Sequence, residues 1–189
     1  MSNKTVVNSS AGATMINAQT GQATAVNTNM MSAAVKVSAG TILANKYEIV
    51  EPLSVSTGEA DLFKCKYSGE EYVAKIYRRQ RAVKPEVVTA LKSLNSPYIA
   101  KLYDTGEYNG LPFEILPYYR NGSLQCRVYS LDELKSMIIP CINEALNVLH
   151  SNDIIHKDLK PSNIMLSNDQ KSVAIIDFGI SSVVEQGNT

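Results

Sequence analysis

Two aspartates, Asp158 and Asp177, each follow a short, strongly apolar run, "DIIH" and "VAIID", and this constrains the chain more than any other feature of it. Runs of that kind are strand-like and belong in a buried framework, so both carboxylates are held on rigid supports rather than on a loose surface loop. Lys160 and Asn163 lie beside the first aspartate in "HKDLKPSN", and Lys75 offers a second cation from the alternating run "EYVAKIY". Phosphoryl transfer from a nucleotide needs such a set. Carboxylate and amide oxygens hold Mg²⁺, cations neutralise phosphate oxygens, and a base orients the acceptor hydroxyl.

The rest of the chain is organised around that constellation. Residues 1–40 are dominated by Ser, Thr, Asn, Ala, Gly and Gln and contain no aromatic side chain. They bury too little apolar surface to offset ordering entropy and read as a tail. Within it "TVVN" at Thr5, "TMIN" at Thr14 and "TAVN" at Thr24 recur in one small context. Two readings stand side by side: low-complexity drift, or a row of exposed phosphoacceptor threonines.

From Tyr47 the texture turns to "KYEIVEPL", "ADLFKCKY" and "EYVAKIY", separated by Gly-containing turns, which predicts an antiparallel sheet of three strands or more. Pro85 opens a helix through Leu94 with Val87, Val88, Leu91 and Leu94 on one face, and "SPYIAKLYDTG" and "LPFEILPYY" are predicted as two further strands. Ser130 with Glu133 forms a capping-box pattern ahead of a long helix whose apolar face is Leu134, Ile138, Ile142, Ala145, Leu146 and Leu149. Pro140 inside it is expected to kink the helix or mark a junction.

Composition excludes some classes of function. The formal net charge of +0 offers no bulk attraction to nucleic acid or to an anionic membrane. The three cysteines, Cys65, Cys126 and Cys141, lack metal-ligand spacing and read as reduced thiols of an intracellular protein. With no leader pattern and no apolar stretch of membrane-spanning length, the expectation is a soluble cytoplasmic chain.

Taken together, these motifs resemble a eukaryotic-type serine/threonine protein kinase domain, of the sort also found in bacteria. "YVAKIY" is similar to the Val-Ala-x-Lys strand of that family, "HKDLKPSN" to its His-Arg-Asp catalytic loop and "DFG" to its metal-binding triplet, in the right order over residues 46–182. The resemblance implies an α+β bilobal fold. Its N-lobe, residues 41–116, holds a small antiparallel sheet and one helix, and residues 117–189 form the hinge and an incomplete, mainly helical C-lobe. It implies ATP and Mg²⁺ as cofactors, a protein substrate with Ser or Thr, and roles residue by residue. Lys75 would contact the α- and β-phosphates, with Ala74 against the adenine ring. Asp158 would orient the acceptor hydroxyl, Lys160 would steady the γ-phosphate, and Asn163 and Asp177 would hold Mg²⁺. Leu116 would be the gatekeeper, with Pro117 and Tyr119 meeting adenine through the backbone. His156 would brace its loop, and the tyrosines Tyr98, Tyr103, Tyr118 and Tyr119 would pack the sheet and hinge.

The chain departs from the family pattern in four places. The phosphate loop has Ser54 and Ser56 where glycines are usual and keeps Gly58. The helix position for the glutamate that pairs with the sheet lysine falls on Val87, so Glu86, one residue earlier, would serve only with an offset helix. Lys157 stands in place of the arginine that grips a phosphorylated activation loop. After Gly179 only "ISSVVEQGNT" follows, which reads as a fragment of a longer kinase whose long helix has one face uncovered. A protein kinase whose acceptors include its own tail threonines, read by a forkhead-associated partner, is one reading. A catalytically weak pseudokinase serving as a nucleotide-binding or scaffold module is the alternative. A small-molecule kinase is disfavoured by Lys160, which that class usually lacks.

Overall fold

The computed structural model describes residues 37–55, 58–79, 83–125 and 127–184. The tail threonines Thr5, Thr14 and Thr24, and also Ser56 and Cys126, lie outside the described residues.

The first half is a six-stranded antiparallel sheet in the order β1-β2-β3-β4-β6-β5. Its strands are β1 (Ile42–Leu43), β2 (Tyr47–Ser54), β3 (Ala60–Tyr67), β4 (Glu70–Tyr77), β5 (Asp104–Tyr108) and β6 (Leu111–Pro117). Two tight hairpins fix its register. Ser68–Gly69 joins β3 to β4 and Asn109–Gly110 joins β5 to β6, all four residues having positive φ. That conformation suits the twist of the flanking strands and is least costly at glycine and asparagine. The outer face of the sheet buries Leu43, Ile49, Phe63, Cys65, Ala74, Ile76, Phe113 and Ile115 in one cluster.

Helix α1 (Pro85–Ser93) starts on its proline and buries Val87 and Leu91. These join Tyr77, Ile99, Leu149, Ile154, Ile175 and Phe178 in a second cluster that ties the sheet to the helical half. Each such side chain contributes about 1.5–3 kcal/mol of transfer free energy when fully buried.

"SPYIAKLYDTG" is not one strand. β5 starts only at Asp104, Tyr103 N–H donates to Ile115 O of β6, and residues 96–102 run outside the sheet. Their backbone instead pairs with β9 (Val173–Ile175): Tyr98 O accepts from Ile175 N–H, and Ala100 N–H donates to Ile175 O. Alternation alone could not tell which sheet the segment would join.

The capping box is present, with Ser130 and Glu133 bonding reciprocally at the start of α2 (Leu131–Glu133). A π-turn, Leu134–Ile138, then leads into α3 (Ile139–Ser151). Pro140 explains the widening. It has no N–H for the carbonyl one turn back and its ring crowds that turn, so the ladder opens to a bond from Ile139 N–H to Leu134 O. The apolar face named from the sequence is inward: Ile138, Ala145 and Leu149 are buried, and Leu134, Ile142 and Leu146 are half-buried. Leu131 and Ile139 are 63% and 48% exposed on the same helical stretch.

Beyond α3 the chain forms β7 (Ile154–Ile155), a 3₁₀ turn (Pro161–Asn163), β8 (Ile164–Leu166), β9 and β10 (Ser182–Val183). β8 pairs with β9 and β10 with β7, so the two polar loops after "DIIH" and "VAIID" emerge side by side.

Candidate active site

Side chains of β4 alternate between the two faces of the sheet, and the alternation decides which of them reach the cleft. Val73 and Lys75 line it, whereas Ala74 is fully buried in the outer cluster against the other face. Ala74, which the resemblance set against the adenine ring, therefore lies outside the cleft and Val73 lines it instead, since Lys75 and its immediate neighbour cannot share a face. Directly across from Val73 and Lys75 on β6 stand Leu116 and Glu114.

In the catalytic loop His156 is 3% exposed and links both polar loops. Its Nε2 lies 2.9 Å from Ile176 O, and its Nδ1 accepts from Asp158 N–H at 3.2 Å, an arrangement met by the neutral Nε2–H tautomer. Its ring packs edge-to-face on Phe178 at 4.9 Å, and the buried Ser181 hydroxyl donates to His156 O. The bracing task expected of His156 is the one its contacts describe. Asp158 follows Lys157, which has φ of +67°, a costly conformation for a side chain of that size.

The Asp158 carboxylate takes two bonds on the same oxygen, Oδ2: from Lys160 Nζ at 2.7 Å and from Asn163 Nδ2 at 3.0 Å. Asn163 Nδ2 also bonds the Asp158 carbonyl at 2.9 Å, which locks the loop onto the 3₁₀ turn. The hydrogen bond from Lys160 holds the Asp158 carboxyl below the usual carboxylate range. Among the described residues its Oδ1 has no protein partner.

Asp177 has φ of +66°, and the turn this makes puts its carboxylate 2.7 Å from Lys75 Nζ. Burial would raise its pKa. The Lys75 ammonium and the Gly179 N–H outweigh burial and hold it below the ordinary value. Asp158 and Asp177 repel each other electrostatically across the cleft.

These groups close one end of a cleft of about 570 Å³, a size common for small-molecule sites. Leu53, Leu62, Val73, Leu116, Met165 and Ile176 give it apolar walls suited to a flat ring. Pro117, Tyr118 and Tyr119 line the connecting segment, where burial pushes the Tyr119 hydroxyl up to about 12. Asn168, in the turn between β8 and β9, pins that segment: its Nδ2 donates to Tyr118 O at 3.1 Å and its Oδ1 accepts from Arg120 N–H at 2.9 Å.

Of the residues named from the sequence, Lys75, Leu116, Pro117, Tyr119, Asp158 and Asp177 line the cleft, and Lys160 and Asn163 bind Asp158 directly. Ser54 ends β2 half-buried, and Gly58, at φ of +62°, sits with Glu59, Arg78 and Arg79 in a smaller hollow. The pairing of Glu86 with Lys75 is not formed. Val87 is fully buried in the core, which turns Glu86, about 100° around the helix, out to solvent. Sequence reading passed over Leu53, Leu62, Val73, Met165, Ile176 and Glu114. The signal for Glu114 was present, as a lone charge inside the apolar run "LPFEILP".

A protein kinase domain is the family model that matches residues 56–189, well over half of the chain. The chain belongs to the protein kinase domain family. This kinase domain is 32% identical over 146 residues to calcium-dependent protein kinase 4 of Plasmodium berghei, a match covering 69% of the chain and 27% of that protein. It is 33% identical over 131 residues to the serine/threonine-protein kinase PKH2 of Saccharomyces cerevisiae, covering 63% of the chain and 12% of the relative. Over 99 residues it is 32% identical to the probable serine/threonine-protein kinase pknA2 of Bifidobacterium longum, covering 50% and 13%. The kinase domain thus spans about a quarter or less of the length of these relatives.

Kinase domains use a nucleotide and a divalent cation, and the donor chemistry here fits one. The Asp177 carboxylate, and the Asn163 amide whose NH₂ is committed to Asp158 and whose carbonyl oxygen is left over, are hard oxygen donors of the kind Mg²⁺ takes. Among the described residues no cluster of three or more His, Cys, Asp or Glu side chains is assembled, so such an ion would depend on nucleotide phosphates and water for its remaining ligands.

Proposed function

We propose that the chain is the nucleotide-binding part of an ATP- and Mg²⁺-dependent serine/threonine protein kinase, with acceptors that include Thr5, Thr14 and Thr24 of its own tail. The observation that carries this is the convergence of Lys75, Asp158 with its partners Lys160 and Asn163, and Asp177 on one end of a single apolar cleft. Asp158 Oδ1 would accept a hydrogen bond from the acceptor hydroxyl and draw off its proton as the oxygen attacks the γ-phosphorus of ATP, while the bond from that phosphorus to the β–γ bridging oxygen breaks and ADP leaves. Lys160 would keep Asp158 ionised and turn its charge toward the transferring group once phosphate enters. Lys75 would neutralise the inner phosphates. Asp177 and the Asn163 carbonyl would hold Mg²⁺, whose contribution when bound is to offset charge on the phosphate oxygens.

The repeated threonine context of the tail supports the choice of acceptor. Phosphothreonines made there would be ligands for a forkhead-associated type of reader, through arginine and backbone donors on its side. A reducing, cytoplasmic setting belongs to the same proposal, supported by the free, buried Cys65 and Cys141.

The test is mass spectrometry of the full chain after incubation with Mg²⁺ and ATP, beside Asp158→Asn. Phosphate-sized additions on the tail threonines, absent in the variant, are the expected result. An unmodified wild-type chain that still binds nucleotide would favour the second reading, a binding or scaffold module. The exposure of Glu86 and the single glycine kept in the phosphate loop speak for that alternative.

A further inference from the structure

A carboxylate the sequence reading did not use lies deep beside Lys75. Glu114 on β6 is only 7% exposed, and it stands directly opposite Lys75 in the antiparallel register. Residues so placed point to the same face with Cβ atoms about 4.5–5.5 Å apart. The groups that face Glu114 are Lys75 and Tyr77 of β4 and Asp177 from the loop after β9. Lys75 is the cation among them, and its ammonium also sits 5.1 Å from the Tyr77 ring centre. Tyr77 is 3% exposed; its hydroxyl falls short of hydrogen-bond geometry, yet it is near enough to Glu114 to join Lys75 in opposing the effect of burial on that carboxyl.

A carboxylate this deep is strongly disfavoured unless a countercharge or a donor serves it. In this structure Lys75 spends its direct bond on Asp177, and burial accordingly holds the Glu114 carboxyl above the ordinary range despite the nearby ammonium. When Asp177 turns its charge to a cation, Lys75 needs another anchor. Glu86 cannot provide it, being exposed on the far side of Val87.

We propose that Glu114 is the positioning carboxylate for Lys75, holding its ammonium at the phosphate end of the cleft in place of a helix glutamate. The anchor then sits on a strand hydrogen-bonded to β4, so its distance to Lys75 is set by sheet register and not by where α1 swings. This inference rests on the nucleotide-binding reading of the cleft.

The test is a double-mutant cycle on the full chain, reading the Kd for Mg²⁺-ATP by titration calorimetry for wild type, Lys75→Met, Glu114→Gln and the pair, with Glu86→Gln alongside. Glu114→Gln is expected to weaken binding about tenfold, the scale of one hydrogen bond to a charged group, and to add nothing once Lys75 is Met. Glu86→Gln is expected to bind as wild type does. An unchanged Kd for Glu114→Gln, or an equal loss in the Lys75→Met background, overturns the proposal. Failure of wild type to bind would count against the nucleotide reading instead. In that case the same four proteins are compared by urea unfolding, where non-additivity between positions 75 and 114 supports the pair and strict additivity rejects it.

Discussion

At the scale of single residues, the site is a set of charges held apart and held ready. Asp158 is kept ionised first by the Lys160 hydrogen bond, so its carboxyl stays charged to lower pH than a free aspartate. A base with a depressed pKa keeps its active form as pH falls, so the acid limb of the kcat/KM profile, which reports the ligand-free chain, is expected below the ordinary aspartate range. Lys160→Met removes that cause, and the limb is expected to move to higher pH. An unmoved limb in the kcat/KM profile of that variant would mean some other group sets it. Asp158→Asn should lower kcat by about 10²–10⁴-fold on the plateau above that limb, the range of general-base contributions, with the gap closing at lower pH as the wild-type carboxylate takes its proton. Most of these side chains could be named from the sequence because motif letters carry them. Val73 was missed because letter matching ignores which face a strand residue takes, and Glu114 because its one signal, a lone charge in an apolar run, belongs to no motif.

Among the elements, β5 and β6 show how backbone and ring share space. Gly106 pairs with Phe113, and a Cβ added at Gly106 would meet the Phe113 ring at 2.8 Å. Phe113 is 3% exposed in the outer core and has little room to move. Gly106→Ala is therefore expected to destabilise the fold by about 1–3 kcal/mol, the usual cost of overpacking, as read from urea unfolding. A variant as stable as wild type would show that the ring shifts freely. The sheet, α1 and the capping box were legible in alternation, in Pro85 and in Ser130 with Glu133, because each is a local signal. The path of residues 96–102 was not. Its bonds to β9 are long-range, and nothing within the segment names the partner.

For the whole molecule, the cleft couples ligand to stability. Mg²⁺-ATP at about 100 times its Kd should add roughly 2.7 kcal/mol, raising Tm by roughly 5–10 °C for a chain of this size. At the same nucleotide concentration that shift should shrink in Lys75→Met, in step with its weaker Kd. A rise of undiminished size in the variant would place the nucleotide elsewhere.

The bonds of Asn168 to Tyr118 and Arg120 weld the connecting segment to the hairpin that carries Met165. Any rocking of the sheet over the helical half must then bend the chain upstream of that weld, at the end of β6. In such a motion the connecting segment and the hairpin that carries Met165 would travel as one piece.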